Sequence, residues 1–270
     1  MQQPNNTSKP VVLITGAAGG VGAAAAQEMA RRGYDVAITD INETGLQSTG
    51  AAIHQINPAI KVLLLPGDLC DLDFTQSMAK STFDHFGRID VLVNNAAWRE
   101  LVTMRHVSVE SWEKTIRIML TAPAFLSRQC AVYMESAKRG LIINISSIQA
   151  QQTSSFATPY AVAKAGLETL TFDLAGLYGA AEIRVVALAL GAVDTELSQD
   201  YSDSDDMRAA SEDIIALGRW TDAAEAARTI AWLASADASY ITGTVITADG
   251  GWVHQHMGRS ARRKIFPEEF

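Results

Sequence analysis

The chain has 270 residues, of which 48% are hydrophobic and 19% are charged, as in ordinary folded proteins rather than disordered ones. A formal net charge of −8 argues against a nucleic-acid binder, which needs Lys and Arg to neutralise phosphates. The two cysteines, Cys70 and Cys130, are too few for a disulfide framework, and the five histidines suggest no metal cluster.

The N-terminal residues 1–10 are polar and predict a flexible segment rather than a signal peptide, which would need an apolar core. No later apolar run reaches the ~18 residues of a membrane span. We therefore expect a cytoplasmic protein with a small-molecule partner, no nucleic acid, no membrane and no metal. The length is compatible with one domain over 1–270.

Apolar runs typical of buried strands alternate along the chain with longer amphipathic stretches typical of helices. The predicted strands cover 11–15, 35–40, 62–65, 91–94, 141–146, 184–190 and 244–248. The predicted helices cover 20–32, a stretch after residue 40, a stretch up to 86, stretches after 108 and after 159, and 222–234. Gly33, Gly87 and Gly140 are predicted to end helices before strands.

This alternation predicts an α/β fold of the Rossmann type: a doubly wound parallel sheet of about seven strands with helices on both faces. Ligands of such folds bind at the carboxyl ends of the strands. The segment 196–216, polar and acidic over 198–210, is predicted to be either a substrate lid or a solvated loop. A C-terminal extension, 253–270, either adds contacts between subunits or frays.

A glycine-rich run, Thr15–Gly22, joins the first strand to the first helix. Glycines let backbone amides approach a pyrophosphate, and the helix N-terminus adds partial positive charge. Gly16, Gly20, Val21 and Gly22 are therefore candidate cofactor-binding residues, although such a turn can also serve packing alone.

Asp40 ends the second strand, where a carboxylate can accept hydrogen bonds from an adenine ribose and repel a 2′-phosphate. No Arg or Lys lies at Ala17, at Ala18 or directly after Asp40, so NAD is expected and NADP is less favoured. The alternative is that Asp40 caps a helix, a role that Asn42 could also fill.

Tyr160 and Lys164 are four residues apart at the start of a predicted helix, so both side chains lie on one face. A phenol needs a nearby cation to act as a base at neutral pH. Ser147 ends the preceding strand and could orient a substrate oxygen toward Tyr160; Ser146 is the less favoured neighbour. Tyr160 and Lys164 alone would be a weak signal, because this spacing arises by chance.

Together these motifs, from Val11 to about Trp252, resemble the short-chain dehydrogenase/reductase family with its Tyr-x-x-x-Lys motif. The resemblance implies that Ser147, Tyr160 and Lys164 are catalytic and that Tyr160 and Lys164 also contact the cofactor. It further implies a homotetramer built on the helices after 108 and 159. The additional cofactor contacts that it implies are Asp68, Leu69, Asn95, Ala96, Val193 and Thr195.

Three positions depart from the family pattern: Ala97 replaces a glycine, Leu190 a proline and Met119 an asparagine. The family's asparagine is thought to hold a water that links the lysine to solvent, and a thioether cannot donate a hydrogen bond. Thr115, one turn earlier, could hold that water instead.

The leading hypothesis is NAD-dependent interconversion of a secondary alcohol and a ketone, with Tyr160 as acid/base. One alternative is an NADP-dependent carbonyl reductase. Another is a catalytically weak dinucleotide-binding or sensor protein, motivated by Met119. A methyltransferase is disfavoured because it gives Ser147, Tyr160 and Lys164 no purpose. Pocket-lining candidates are Trp98, Gln149, Gln151, Phe156, Leu197 and Trp252.

Overall fold

The computed structural model describes residues 9–199 and 204–269. The strands are β1 (Val11–Thr15), β2 (Asp35–Asp40), β3 (Val62–Pro66), β4 (Val91–Asn94), β5 (Gly140–Ser147), β6 (Ile183–Leu190), β7 (Val193–Asp194), β8 (Thr221–Asp222) and β9 (Thr244–Ala248). The helices are α1 (Gly20–Arg31), α2 (Glu43–Ile56), α3 (Leu72–Phe86), α4 (Val109–Ile116), α5 (Ala122–Ala137), α6 (Thr158–Tyr178), α7 (Asp205–Ile214), α8 (Ala223–Leu233) and α9 (Arg259–Ile265).

Seven of the strands form one parallel sheet in the order β3-β2-β1-β4-β5-β6-β9. The chain runs outward from β1 to β3, then returns to the other side of β1 with β4. The order therefore reverses between β1 and β4, which is where doubly wound sheets open a ligand crevice at their carboxyl ends. This architecture confirms the predicted fold class.

Side chains alternate along the central strands and supply two hydrophobic cores, one on each face of the sheet. Val12 and Ile14 contribute to the core that includes α1 and α8. Leu13, between them, contributes to the opposite core, which includes α3, α5 and α6. Burial on both faces explains why the strand sequences are almost continuously apolar.

A buried hydrogen-bond network fixes two of these strands to the helices that cover them. The Asn94 side-chain amide donates to Asn144 Oδ1 (2.8 Å) and to Ser127 Oγ of α5 (3.1 Å). The Asn144 amide donates to Thr171 Oγ1 of α6 (2.9 Å). Because buried polar groups are costly unless paired, this network sets the position of α6 relative to β4 and β5.

Helix ends agree with the sequence prediction at two of three glycines. Gly33 and Gly87 have φ of 87° and 76°, the left-handed conformation that ends α1 and α3. The prediction for Gly140 was wrong: Lys138 adopts the left-handed conformation after α5, and Gly140 begins β5 against Met134. A Cβ atom at position 140 would lie 2.5 Å from the Met134 sulfur, so close packing requires the glycine.

The short parallel pair β7 and β8 was not predicted, because two-residue strands leave no periodic pattern. Residues 1–8 of the predicted flexible N-terminus, 200–203 of the predicted lid and residue 270 lie outside the described residues. Within the described ranges, every helix is too short or too polar to cross a bilayer. Over the same ranges, acidic, histidine and cysteine side chains form no group suited to a metal ion.

Candidate active site

A cavity of about 860 Å³ lies at the carboxyl edge of the sheet, where the strand order reverses. Most of the predicted site residues line it: Gly16, Gly20, Val21, Asp40, Asn95, Ser147, Tyr160, Lys164, Val193 and Thr195. The lining does not include Gly22, Asp68, Leu69 and Ala96. Gln149, Leu197 and Trp252 belong to the lining, whereas Trp98, Gln151 and Phe156 do not.

The turn between β1 and α1 forms one end of the cavity and offers a cradle for phosphate. Gly16 and Gly20 have φ of 68° and 53°, a region that side chains disfavour. Gly19 precedes α1 without a side-chain cap, so the helix presents its first amides uncapped. Such a helix start binds anions through its N–H groups and its dipole.

Asn95 holds this turn in place from the end of β4. Its side-chain amide donates to the carbonyl oxygens of Thr15 (3.0 Å) and Gly16 (2.9 Å). The backbone amides of Asn95 and Ala96 both donate to Thr15 Oγ1 at 3.0 Å. These bonds join the end of β1 to the end of β4, where the strand order reverses. Ala96 therefore supports the glycine turn through its backbone amide without lining the cavity.

Gly22 lies in the first turn of α1 behind the cavity wall. A Cβ atom at this position would lie 2.1 Å from the Gly16 carbonyl oxygen and 2.6 Å from Asn95 Nδ2. Neither the Gly16 backbone nor the Asn95 side-chain amide can move far enough to make room for a Cβ atom, so only glycine lets the turn pack this closely. Its contribution to the cradle is therefore steric.

Asp40, at the end of β2, lines the cavity beside the glycine turn. Its carboxylate accepts hydrogen bonds from the backbone amides of Ala18 (3.1 Å) and Asn42 (3.0 Å). The Asn42 side chain accepts from Gly45 N and caps α2, so capping does not occupy Asp40. The carboxylate keeps further acceptor capacity for hydroxyl groups.

Asp68 and Leu69 follow β3 and lie next to this end. Asp68 is exposed, and its carboxylate accepts from Cys70 N at 2.8 Å. Leu69 is buried and packs in the core that α3 and α5 share. Their predicted contacts with adenine remain predictions.

Tyr160 and Lys164 lie one turn apart at the start of α6, at the other end of the cavity. Lys164 Nζ is 5.6 Å from the centre of the Tyr160 ring and donates to the Ile145 carbonyl oxygen at 2.6 Å. Only 3% of Lys164 is exposed, and burial lowers the pKa of its amine to about 7. The amine therefore changes its charge near neutral pH.

Burial and two neighbouring side chains set the pKa of the Tyr160 phenol. Burial raises it, while the Ser147 hydroxyl and the Arg99 guanidinium lower it. The guanidinium carbon of Arg99 lies 5.8 Å from the centre of the Tyr160 ring. Arg99 was not among the predicted site residues, because a lone arginine after β4 belongs to no motif.

Ser147 and Ser146 end β5 together, and the structure distinguishes them. Ser146 Oγ donates to Glu168 Oε1 of α6 at 2.8 Å and lies in a buried contact. Ser147 Oγ accepts from the backbone amide of Gln149 (3.2 Å), which leaves its own proton for another partner. Of the two hydroxyls, Ser147 is the one next to Tyr160.

The segment after β6 forms the outer wall of the cavity. Val193 and Thr195 line it, and Thr195 Cγ2 lies near Gly20 of the glycine turn. Leu197 and Ile214, from the start and end of the predicted lid, also line the cavity. Whether this segment moves stays a prediction.

The C-terminal extension contacts the end of that segment. Asp213, in the last turn of α7, accepts hydrogen bonds from the amide (2.7 Å) and hydroxyl (2.8 Å) of Ser260 in α9. Arg259 donates to the Glu212 carbonyl oxygen at 3.2 Å. The extension is thus attached to α7 within the chain.

Met119 lies in a π-helical turn, Arg117–Thr121, between α4 and α5, and is 1% exposed. Such turns interrupt a helix at a local cost and are frequent at functional sites. The Thr115 hydroxyl donates its only proton to the Ser111 carbonyl oxygen at 2.8 Å. Thr115 could therefore only accept a hydrogen bond from a water at this position.

Comparisons with known proteins agree with this geometry. A family model described as enoyl-(acyl carrier protein) reductase matches residues 16–253. The cis-4-hydroxycyclohexanecarboxylate dehydrogenase of Sinomonas cyclohexanicum is 35% identical over 90% of this chain and 96% of its own. The levodione reductase of Leifsonia aquatica is 32% identical over 89% and 93%. A crystal structure of levodione reductase superposes with a TM-score of 0.85 at 30% identity, covering 91% of this chain and 98% of the other.

The fold, the cavity and these matches define an oxidoreductase with a Rossmann-type fold. The chain belongs to the short-chain dehydrogenase/reductase family, whose members use nicotinamide dinucleotides. Within it, the chain is a short-chain alcohol dehydrogenase or ketoreductase acting on CH–OH groups.

Proposed function

We propose that this enzyme uses NAD to interconvert a secondary alcohol and a ketone, with Tyr160 as the acid/base. The observation that carries the proposal is the placement of Ser147, Tyr160 and Lys164 at one end of a cavity whose other end holds the glycine turn and Asp40. A dinucleotide is long enough to occupy both ends of such a cavity.

The residues present fit that cofactor. The positive φ of Gly16 and Gly20 and the uncapped start of α1 suit a pyrophosphate. Asp40 would accept hydrogen bonds from the adenine ribose, Lys164 would contact the nicotinamide ribose, and Thr195 would contact the carboxamide. Val21, Asn95 and Val193 would complete the binding surface, with Asp68, Leu69 and Ala96 beside the adenosine half. When bound, the nicotinamide ring supplies the hydride acceptor or donor.

The chain itself moves the proton and positions the oxygen. Tyr160 Oη removes the hydroxyl proton of an alcohol, or returns it to a ketone oxygen in the reverse direction. Ser147 Oγ donates a hydrogen bond to the same substrate oxygen and favours the charge that develops there. Lys164, when protonated, favours the phenolate form of Tyr160, and Arg99 acts in the same direction.

Asp40 supports NAD over NADP. A 2′-phosphate beside its carboxylate would add like charge, and the neighbouring positions Ala17, Ala18 and Ile41 supply no cation to offset it. An NADP-dependent reductase is the nearest competitor, since one structural relative at 26% identity is described as an NADPH-dependent reductase.

The names of the relatives support a substrate with a carbonyl or hydroxyl group on a carbon framework, as in the hydroxycyclohexanecarboxylate and levodione enzymes. We propose a single catalytic domain in the cytoplasm, assembled as a homotetramer. Exposed apolar side chains on the helices predicted to form the interfaces support the assembly: Val132 on α5 and Val162 and Phe172 on α6.

The test is a panel of secondary alcohols and ketones, assayed by the absorbance of the reduced nicotinamide with both cofactors. Turnover of at least one pair with NAD favoured over NADP is the expected result. Higher kcat/KM with NADP would favour the competing reductase. Tight NADH binding by calorimetry, with no turnover on any pair, would favour the sensor suggested by Met119.

A further inference from the structure

Arg99 has no role in the family pattern, yet it lies at the reaction end of the cavity. It follows β4, it is half-buried, and it lines the same cavity as Tyr160. Its guanidinium lies over the Tyr160 ring at 5.8 Å from the ring centre. One small molecule can therefore contact both the guanidinium and the Tyr160 hydroxyl.

The guanidinium is largely unused by the protein. In the stretches 9–199 and 204–269, its hydrogen-bond acceptor is the Leu197 carbonyl oxygen at 2.6 Å, and no carboxylate lies within ion-pair distance. Arginine carries five N–H donors in a planar fork that matches a carboxylate in two parallel hydrogen bonds. An unpaired half-buried cation beside a cavity favours an anionic ligand.

The other charged groups of the cavity point to the location of that anion. Of the described lining residues, Asp40 lies at the adenosine end and Glu196 lies beside Gly19 of the glycine turn. The second cation, Lys164, is buried and donates to the Ile145 carbonyl oxygen. The reaction end thus offers an anion one accessible cation, Arg99, and no competing carboxylate from the described residues.

The cofactor does not account for this cation. The glycine turn and the start of α1 already offer amides for a pyrophosphate, at the opposite end from Tyr160. A 2′-phosphate would lie near Asp40, also at that opposite end. Since neither phosphate group of the cofactor lies near Arg99, the ligand that remains to pair with this cation is the substrate.

We propose that Arg99 binds a carboxylate on the substrate, so that the enzyme acts on a secondary hydroxy acid or keto acid rather than on a neutral alcohol. This inference rests on the proposed function of the same site. The carboxylate pairs with the guanidinium while the carbinol oxygen contacts Ser147 and Tyr160. Gln149 and Ser154, which also line the cavity, add polar groups suited to such a substrate.

A purely structural role for Arg99 makes a different prediction. Through Leu197 the side chain ties the loop after β4 to the segment after β7. If that tie were its only role, or if Arg99 acted only on the Tyr160 pKa, its loss would slow every substrate by the same factor. A carboxylate site instead predicts a loss that is much larger for the acid than for a neutral substrate.

The experiment compares cis-4-hydroxycyclohexanecarboxylate with its methyl ester, using NAD and the full-length enzyme. The wild type should favour the acid by at least about tenfold in kcat/KM. Arg99→Gln should lower kcat/KM for the acid by about 100-fold, mainly through KM. It should lower kcat/KM for the ester by no more than about tenfold, through kcat, because the ester loses only the effect of the guanidinium on the Tyr160 pKa. Arg99→Lys should recover part of the loss. Arg105→Gln, which removes an exposed arginine from the same loop, is the matched control and should change neither.

Calorimetry separates this inference from the proposed function, because binding needs no turnover. With and without NADH, 4-oxocyclohexanecarboxylate should bind at least about tenfold more tightly than its methyl ester, and Arg99→Gln should abolish that difference. Equal affinities for acid and ester, or equal losses on both in Arg99→Gln, would overturn the inference. An enzyme that turns over no alcohol but keeps the Arg99-dependent preference would overturn the proposed function alone.

Discussion

Replacing Lys164 with methionine should stabilise the fold while it removes activity. Each unit by which burial lowers a pKa costs about 1.4 kcal/mol when the group is charged. The fall from 10.5 to about 7 therefore sets an upper bound of about 5 kcal/mol on the cost of the buried ammonium at low pH. The methionine variant also loses the hydrogen bond to the Ile145 carbonyl oxygen, which reduces its gain in stability by about 1 kcal/mol.

The dependence on pH follows from where the amine binds its proton. Between its lowered pKa of about 7 and the ordinary 10.5, the unfolded chain holds more protons than the folded one. Wild-type stability should therefore rise with pH across this window, and the methionine variant should lack that rise. The stability advantage of Lys164→Met should shrink by about 3 kcal/mol between about pH 6 and about pH 9.5.

Urea unfolding of the cofactor-free proteins at both pH values, at one protein concentration, measures this advantage. Lys61→Met, at an exposed lysine, is the matched control and should show no change in its stability difference. An advantage of Lys164→Met that is equal at the two pH values would refute the reasoning. It would mean that the folded protein does not lower the pKa of this amine.

Three further changes test other parts of the site. Asp40→Asn should raise NADPH affinity relative to NADH by about tenfold in fluorescence titrations, by removing like charge; an unchanged ratio would contradict this. Met119→Asn, but not Met119→Leu, should speed turnover and move the alkaline limb of the pH profile to lower pH; identical profiles would exclude Met119 from the proton path. Asp213→Ala should raise KM and speed proteolysis within α7 by removing the Ser260 contacts; unchanged cleavage would show that α9 does not hold α7.

Much of the fold could be predicted because the strands are buried on both faces and the helices are amphipathic. Val11–Thr15 and Asp35–Asp40 have the same limits in sequence and structure, since Gly16 follows the first run and the polar residues Asp40 and Asn42 mark the end of the second. The left-handed Lys138 could not be predicted, because glycine is the usual residue there and Gly140 lay two positions on. Gly140 is instead needed for close packing against Met134, which is a tertiary constraint that the local sequence does not show.

The position of a residue in the cavity could be predicted where the residue belongs to a local motif, but not where only the tertiary fold brings it to the cavity. Tyr160 and Lys164 are one helical turn apart, so their spacing already placed them together. Arg99 and Leu197 are 98 residues apart in the chain, and only the sheet order brings them into hydrogen-bond contact. The proposed carboxylate contact depends on this long-range placement of Arg99, which is why the motifs alone did not suggest it.

The central claim is that the Tyr160 hydroxyl exchanges the substrate proton. The direct measurement is single-turnover oxidation of a secondary alcohol by the wild type and by Tyr160→Phe, across a range of pH, with NAD saturating. Since general acid–base catalysis contributes about 10²–10⁴-fold, the variant should be slower by at least about 100-fold, without the wild type's pH dependence, and should bind NADH with nearly unchanged affinity. A Tyr160→Phe variant that keeps the wild-type rate and pH profile would contradict the account.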